Sequence, residues 1–160
     1  MSKLTHTDSD GKATMVDVSH KQDSVRQATV SVKVLLNEKT FELIQSNNLK
    51  KGDVLTVAKI AGIQAAKKTS ELIPLCHQIA LEQVEIEFEL DDEKADIIIK
   101  STVKCSAQTG VEMEALTACS ITALTIYDML KAVQKDISIT NLELLKKSGG
   151  KSNDYKHSGL

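Results

Sequence analysis

Alternating apolar residues over Ala28 to Leu36 and again from Val84 to Lys104, a long helical pattern from about Gly110 to Val133, and a closing apolar run from Ile137 to Leu145 predict an α+β fold. The order strand, helices, strand, strand, helix, strand selects a ferredoxin-like arrangement, an antiparallel sheet with helices packed on one face. The 160 residues, 41% of them hydrophobic, suit a single domain over 1–160 with one core. The polar ends, about 1–13 and 148–160, are expected to be mobile tails.

Each element has a local cause. Val30, Val32, Val34 and Leu36 alternate with Thr29, Ser31 and Lys33, which is the pattern of a strand with one buried face. Asn37 can cap a short helix through about Gln45, and Asp53 a longer one to about Thr69. In that second helix Ala58, Gly62 and Ala66 recur every four residues, with Ala61 and Ala65 beside them, so its backbone can approach a neighbour closely. Pro74, the only proline, pushes Ile73 toward an extended conformation and places Leu75-Cys76-His77 at a turn. Val84, Ile86, Phe88 and Leu90 then alternate with three glutamates, and Asp91-Asp92 turns the chain into a second strand from about Ala95 to Lys104. The result is a hairpin with one acidic, solvated face.

Composition excludes several classes. A net charge of −2 and only four aromatic residues, Phe41, Phe88, Tyr127 and Tyr155, argue against a nucleic-acid surface. No apolar run approaches the twenty or so residues that span a bilayer, and Met1 to Met15 does not resemble a signal peptide. Three cysteines without a C-x-x-C pair fit a reducing, cytoplasmic setting better than a disulfide framework or a structural zinc site.

The long helical segment concentrates candidate chemistry: Glu112, Glu114, Asp128 and Lys131. Glu114 and Asp128 fall within roughly 40° of each other around the axis but lie about 21 Å apart along it, too far to act on one bond. Either there are two sites, or two copies of the helix meet across a two-fold axis and complete a site between subunits, which is the expectation here. Plainer readings exist for each residue. Thr109-x-x-Glu112 fits a capping box, and Asp128 with Lys131 fits an ordinary surface ion pair.

Anion-binding candidates flank this helix. Lys146-Lys147-Ser148-Gly149-Gly150-Lys151-Ser152 is a flexible basic stretch that lacks the first glycine and the following helix of a phosphate loop. Lys50-Lys51-Gly52-Asp53 sets two ammonium groups beside a helix start, where anions are already favoured. Arg26 is the only arginine and the only fork-shaped donor. His77 and Cys76, read alone, are better explained by structural roles, a hydrogen-bonded imidazole and a small buried hydrophobe.

Taken together, Thr109-Gly110-Val111-Glu112-Met113-Glu114-Ala115-Leu116-Thr117, Leu72-Ile73-Pro74-Leu75-Cys76-His77, Lys51-Gly52-Asp53-Val54, Ala61-Gly62-Ile63-Gln64-Ala65-Ala66-Lys67, Leu124-Thr125-Ile126-Tyr127-Asp128-Met129 and Lys147-Ser148-Gly149-Gly150-Lys151-Ser152 carry a resemblance. The chain resembles the cyclic pyranopterin monophosphate synthases, the molybdenum cofactor biosynthesis protein C family, over nearly its whole length. It departs from the family pattern at Gln108, where a lysine is expected, at Gln78 in place of a proline, and at Asn153 in place of a glycine.

The resemblance implies a lyase that converts a cyclised dihydro-GTP, made upstream by a radical enzyme, to cyclic pyranopterin monophosphate with release of pyrophosphate. It further implies a homo-hexamer, a trimer of dimers, with pockets at dimer interfaces. Carried over by position, Asp128 is the principal catalytic residue, Lys131 its neighbour in proton transfer and Lys51 a second acid/base and phosphate-binding group. Leu75, Cys76, His77, Met113 and Glu114 correspond to substrate-contacting segments, and Glu112, Arg26 and Lys147 to other polar positions lining the pocket. Ring opening and reclosure need several proton transfers, which lysines serve if neighbouring cations and burial lower their pKa. No tightly bound cofactor is called for, and magnesium is expected at most as a companion of the phosphates.

Overall fold

The computed structural model describes residue 7 and residues 10–46, 52–150 and 154–158. The elements follow one another as β1 (Ser24–Leu35), α1 (Glu38–Gln45), α2 (Val54–Lys67), α3 (Thr69–Leu72), β2 (Gln83–Asp91), β3 (Asp96–Ala107), α4 (Glu112–Leu130), β4 (Ser138–Ser148) and β5 (Tyr155–Lys156). The strands form one antiparallel sheet in the order β2-β3-β1-β4-β5. The first four have the ferredoxin-like order that the element sequence predicts, with β5 added at the edge beside Lys146 and Lys147.

One face of the sheet is covered. Val30, Val32 and Val34 of β1, Ile97, Ile99 and Val103 of β3 and Ile86 of β2 are fully buried, together with Ala115, Ala118, Ala123, Ile126 and Leu130 of α4. The α4 helix lies over the central strands. There the Ser101 hydroxyl donates to the Ala115 carbonyl at 2.7 Å, so a polar side chain on the inner face of β3 is satisfied by the helix that covers it. Opposite the core, Glu85, Glu87 and Glu89 of β2 are exposed, as the alternation predicts.

The small-sided helix has its partner. A Cβ on Gly62 would lie 2.1 Å from Thr122 Oγ1 and 2.9 Å from the Ala118 carbonyl, so α2 and α4 approach to a separation that only glycine permits at this point. Asn37 and Asp53 cap as expected, accepting the Thr40 and Thr56 amides at 2.8 and 3.0 Å. Instead of running unbroken to Thr69, α2 breaks at Lys68, and the Thr69 hydroxyl donates back to Ala66 O at 3.0 Å as α3 begins. Ile73 is extended before Pro74 and ends α3.

Several boundaries differ from the sequence expectation: β3 runs on to Ala107, α4 stops at Leu130, and three others bear on the site. The first strand starts at Ser24 rather than about Ala28, because Ser24 to Gln27 pair with Ala107 to Lys104 despite their mostly polar side chains. The last strand continues through Ser148, paired with Gln27 and Ala28. The long helix begins at Glu112, where Val111 occupies the cap position without a side-chain bond, so the Thr109-Glu112 capping box does not form.

Candidate active site

The polar ends of three strands and the start of α4 enclose a cavity of about 680 Å³. Arg26, Glu112 and Lys147 all line it, as do Gln108, Thr109 and Gly110. Lys147 Nζ donates to Glu112 Oε1 at 2.9 Å, and both side chains are only about a third exposed. This pair replaces the capping role that Glu112 was open to. Gly110 makes room for it, since a Cβ there would meet Glu112 Oε2 at 1.9 Å. The Arg26 guanidinium bonds the carbonyls of Ala107, Gly149 and Gln108.

A second cavity, of about 360 Å³, opens on the other side of Thr109, Gly110 and Glu112, which line both. Leu75, Cys76, His77, Met113 and Glu114 line it, with Ile73 and Ile79. The turn at Pro74 delivers the first three and the opening turn of α4 the last two. Its walls are mainly apolar, and Glu114 sits in them only 4% exposed. Burial, with a smaller push from the Glu112 charge, raises the Glu114 carboxyl from 4.5 to about 6, which makes it a group able to exchange protons near neutral pH. Burial, and then the Glu114 charge, raise the Cys76 thiol, so Cys76 stays protonated and packs rather than attacks. His77 Nε2 lies 2.7 Å from the Val16 carbonyl, and this bond ties the segment before β1 to the Pro74 turn.

The other sequence-predicted group lies elsewhere. Asp128 and Lys131 form an ion pair at 2.6 Å near the far end of α4, with 64% and 54% of their side chains exposed. At about 1.5 Å per residue, Asp128 stands roughly 24 Å along the helix from Glu112, so a single chain does not unite it with either cavity. The hydrogen bond and charge of Asp128 raise the Lys131 pKa. That is the opposite of the lowering a lysine base needs. Lys51, with Lys50, Lys151, Ser152 and Asn153, lies outside the described residues.

Geometry thus gathers eight of the predicted residues around two adjoining cavities. Residues 15–150 match the MoaC family. The chain belongs to the MoaC family. Among its relatives are "Molybdenum cofactor biosynthesis protein 1" of Drosophila melanogaster, 56% identical over 150 residues, and the human protein of the same name, 50% identical over 153. "Cyclic pyranopterin monophosphate synthase, mitochondrial" of Arabidopsis thaliana is 53% identical over 155 residues. These alignments cover 94%, 96% and 97% of this chain but 26%, 24% and 57% of those relatives, respectively. The chain therefore spans between about a quarter and just over half of the length of the curated relatives it matches.

The structure adds residues to these cavities that sequence reasoning passed over. His20, Lys21, Gln22 and Asp23 line the charged cavity from the loop before β1. No periodicity marks that loop, and the one available signal was its cluster of polar residues just ahead of a strand. Gln108, one of the departures expected from the resemblance, also lines the cavity and places a neutral side chain in that wall. Gly149 and Gly150, read from the sequence as part of a basic tail, close the same wall with φ of 93° and 85°. Cys76, Cys105 and Cys119 are all free thiols. Among the described residues no helix is long and apolar enough to cross a membrane.

Proposed function

We propose that this chain converts a cyclised dihydro-GTP, 3',8-cyclo-7,8-dihydroguanosine 5'-triphosphate, to cyclic pyranopterin monophosphate with release of pyrophosphate, as a lyase of molybdenum cofactor biosynthesis. The reading rests on family membership and on the printed name of the Arabidopsis relative. One observation carries it: a charged cavity and a mainly apolar one meet at Thr109, Gly110 and Glu112. A ligand with a polyphosphate at one end and a flat heterocycle at the other needs that division. Lys21 and Lys147 offset phosphate charge, while Leu75, Met113 and Ile79 enclose a ring.

In this reading Asp128, Lys131 and Lys51 perform the proton transfers, and the site is completed between subunits of a homo-hexamer built as a trimer of dimers. Helix length supports the shared site. Asp128 and Lys131 of one chain are too far from its own cavities and exposed enough to meet another chain. Docking there would desolvate Lys131 and bring other cations near it, reversing the direction of its shift. No tightly bound cofactor is needed, and magnesium would arrive with the phosphates. Function is coupled to the upstream radical enzyme that makes the substrate. The reading places the protein in the cytoplasm, where its free thiols stay reduced.

The test is incubation of the purified protein with the cyclised dihydro-GTP, following pyrophosphate and pyranopterin, with Lys51→Ala, Asp128→Ala and Lys131→Ala in parallel. Product from wild type and none from variants that keep the same assembly is the expected result. Absence of product from wild type with magnesium present would refute the assignment.

A further inference from the structure

Arg26 is the one guanidinium in the chain, and it is half-buried at the point where β1 begins and β3 and β4 end. No carboxylate forms a salt bridge with it among the described residues. Its donors go to main-chain oxygens instead. Nε donates to Ala107 O at 3.3 Å, Nη1 to Gly149 O at 3.3 Å and Nη2 to Gln108 O at 3.4 Å. Ala107 ends β3 and Gln108 leads into the Thr109-Gly110 approach to α4, while Gly149 directly follows the end of β4.

The opposing chain is shaped around this group. A Cβ on Gly150 would lie 1.6 Å from Nη1, and one on Gly149 would lie 2.0 Å from the Val25 carbonyl. Both glycines have positive φ, so the chain turns directly across the guanidinium. The Gly149 amide then donates to Asp154 Oδ1 at 3.1 Å, which fixes the far side of the turn. A lysine at position 26 would carry the same charge but has one nitrogen at the end of a flexible stem, and cannot span three carbonyls in a plane.

We propose that Arg26 is a positioning residue: by holding the carbonyls of Ala107, Gln108 and Gly149 on one fork, it sets the separation between the loop entering α4 and the end of β4, and so keeps Glu112 and Lys147 paired in the wall of the charged cavity. The catalytic part of this inference rests on the synthase reading above. The structural part does not. A displacement of about 1 Å at such a site is enough to reduce turnover by about a hundredfold, so the consequence of losing the fork exceeds that of losing a distant charge.

The experiment compares wild type with Arg26→Lys, which keeps the charge, and Arg26→Gln, which keeps a donor without it. Two readouts are taken on the full chain: kcat and KM for pyrophosphate release from the cyclised dihydro-GTP, and amide hydrogen exchange of residues 105–112 and 145–150. Positioning predicts that both variants lose kcat/KM by at least about tenfold and agree with each other within about threefold, with kcat carrying most of the loss. It also predicts faster exchange in both segments of both variants, while α2 and the centre of the sheet keep their protection. A lysine variant that retains wild-type kcat/KM beside an inactive glutamine variant would overturn the proposal in favour of a charge contact. Unchanged exchange in the two segments would overturn it as well. If wild type itself releases no pyrophosphate, the synthase reading fails and the exchange data still decide the clasp.

Discussion

The two ends of α4 carry the same residue types in opposite settings. At the start, Glu112 is paired with Lys147 at 2.9 Å inside a cavity wall, and Glu114 is 4% exposed with its pKa raised to about 6. At the far end, Asp128 and Lys131 are paired at 2.6 Å with more than half of each side chain in solvent. Shorter distance does not mean a larger contribution. An exposed i,i+3 pair is screened and gives the fold little, whereas a carboxyl held in an apolar wall costs stability.

Breaking this contrast is most direct at the exposed end. Asp128→Ala is expected to lower kcat by about 10²–10⁴-fold, the range for losing a positioned acid or base. If turnover survives, Asp128 is the surface pair that its spacing allows. Mixing sharpens the point. Subunits carrying Asp128→Ala and subunits carrying Lys147→Ala, inactive separately, should recover about a quarter of wild-type activity when reassembled together, because a mixed dimer places both defects in one of its two shared sites. No recovery on mixing would return the site to a single chain.

Gly110→Ala tests the buried end by forcing Glu112 out of its place beside the glycine. Its expected effect is roughly a tenfold fall in kcat/KM with a normal circular dichroism spectrum. For Glu114 the observable is stability against pH. Its folded pKa of about 6 lies above the ordinary 4.5, so the native state holds the proton more tightly than the unfolded chain. Stability from this group is therefore full below 4.5 and declines as pH rises through about 6. Glu114→Gln should flatten that decline and raise stability at pH 7 by on the order of 2 kcal/mol, measured by urea denaturation at both ends of the window. The smallest effect closes the comparison: Asp128→Ala should move the melting temperature by less than about 2 °C. A larger drop would mean that the pair holds the structure or the assembly together.

The strands, the two caps and the small-sided helix were legible because each is written locally, in alternation, in an Asn or Asp before an apolar run, and in alanine and glycine every four residues. Leu75-Cys76-His77 and Met113-Glu114, assigned from separate segments by resemblance, line one cavity. Several things were not legible. The pairing of Glu112 with Lys147 joins residues 35 apart in sequence, and nothing local distinguishes it from the Thr109 capping box. Arg26 could be read as an anion ligand, but that its partners are three main-chain carbonyls depends on where β1 begins and β3 and β4 end. His20 and Lys21 enter the cavity wall from a loop without periodicity.

By itself, then, the sequence determined the order of the main elements, the hydrophobic face of each, the small-sided face by which α2 can approach a neighbour and the family, since these follow from residue type at short spacing. Tertiary structure alone decided which of two roles each charged group takes. Whether a carboxylate caps, pairs or stays protonated depends on the dielectric and the partners around it, and those are set by segments far away in the chain.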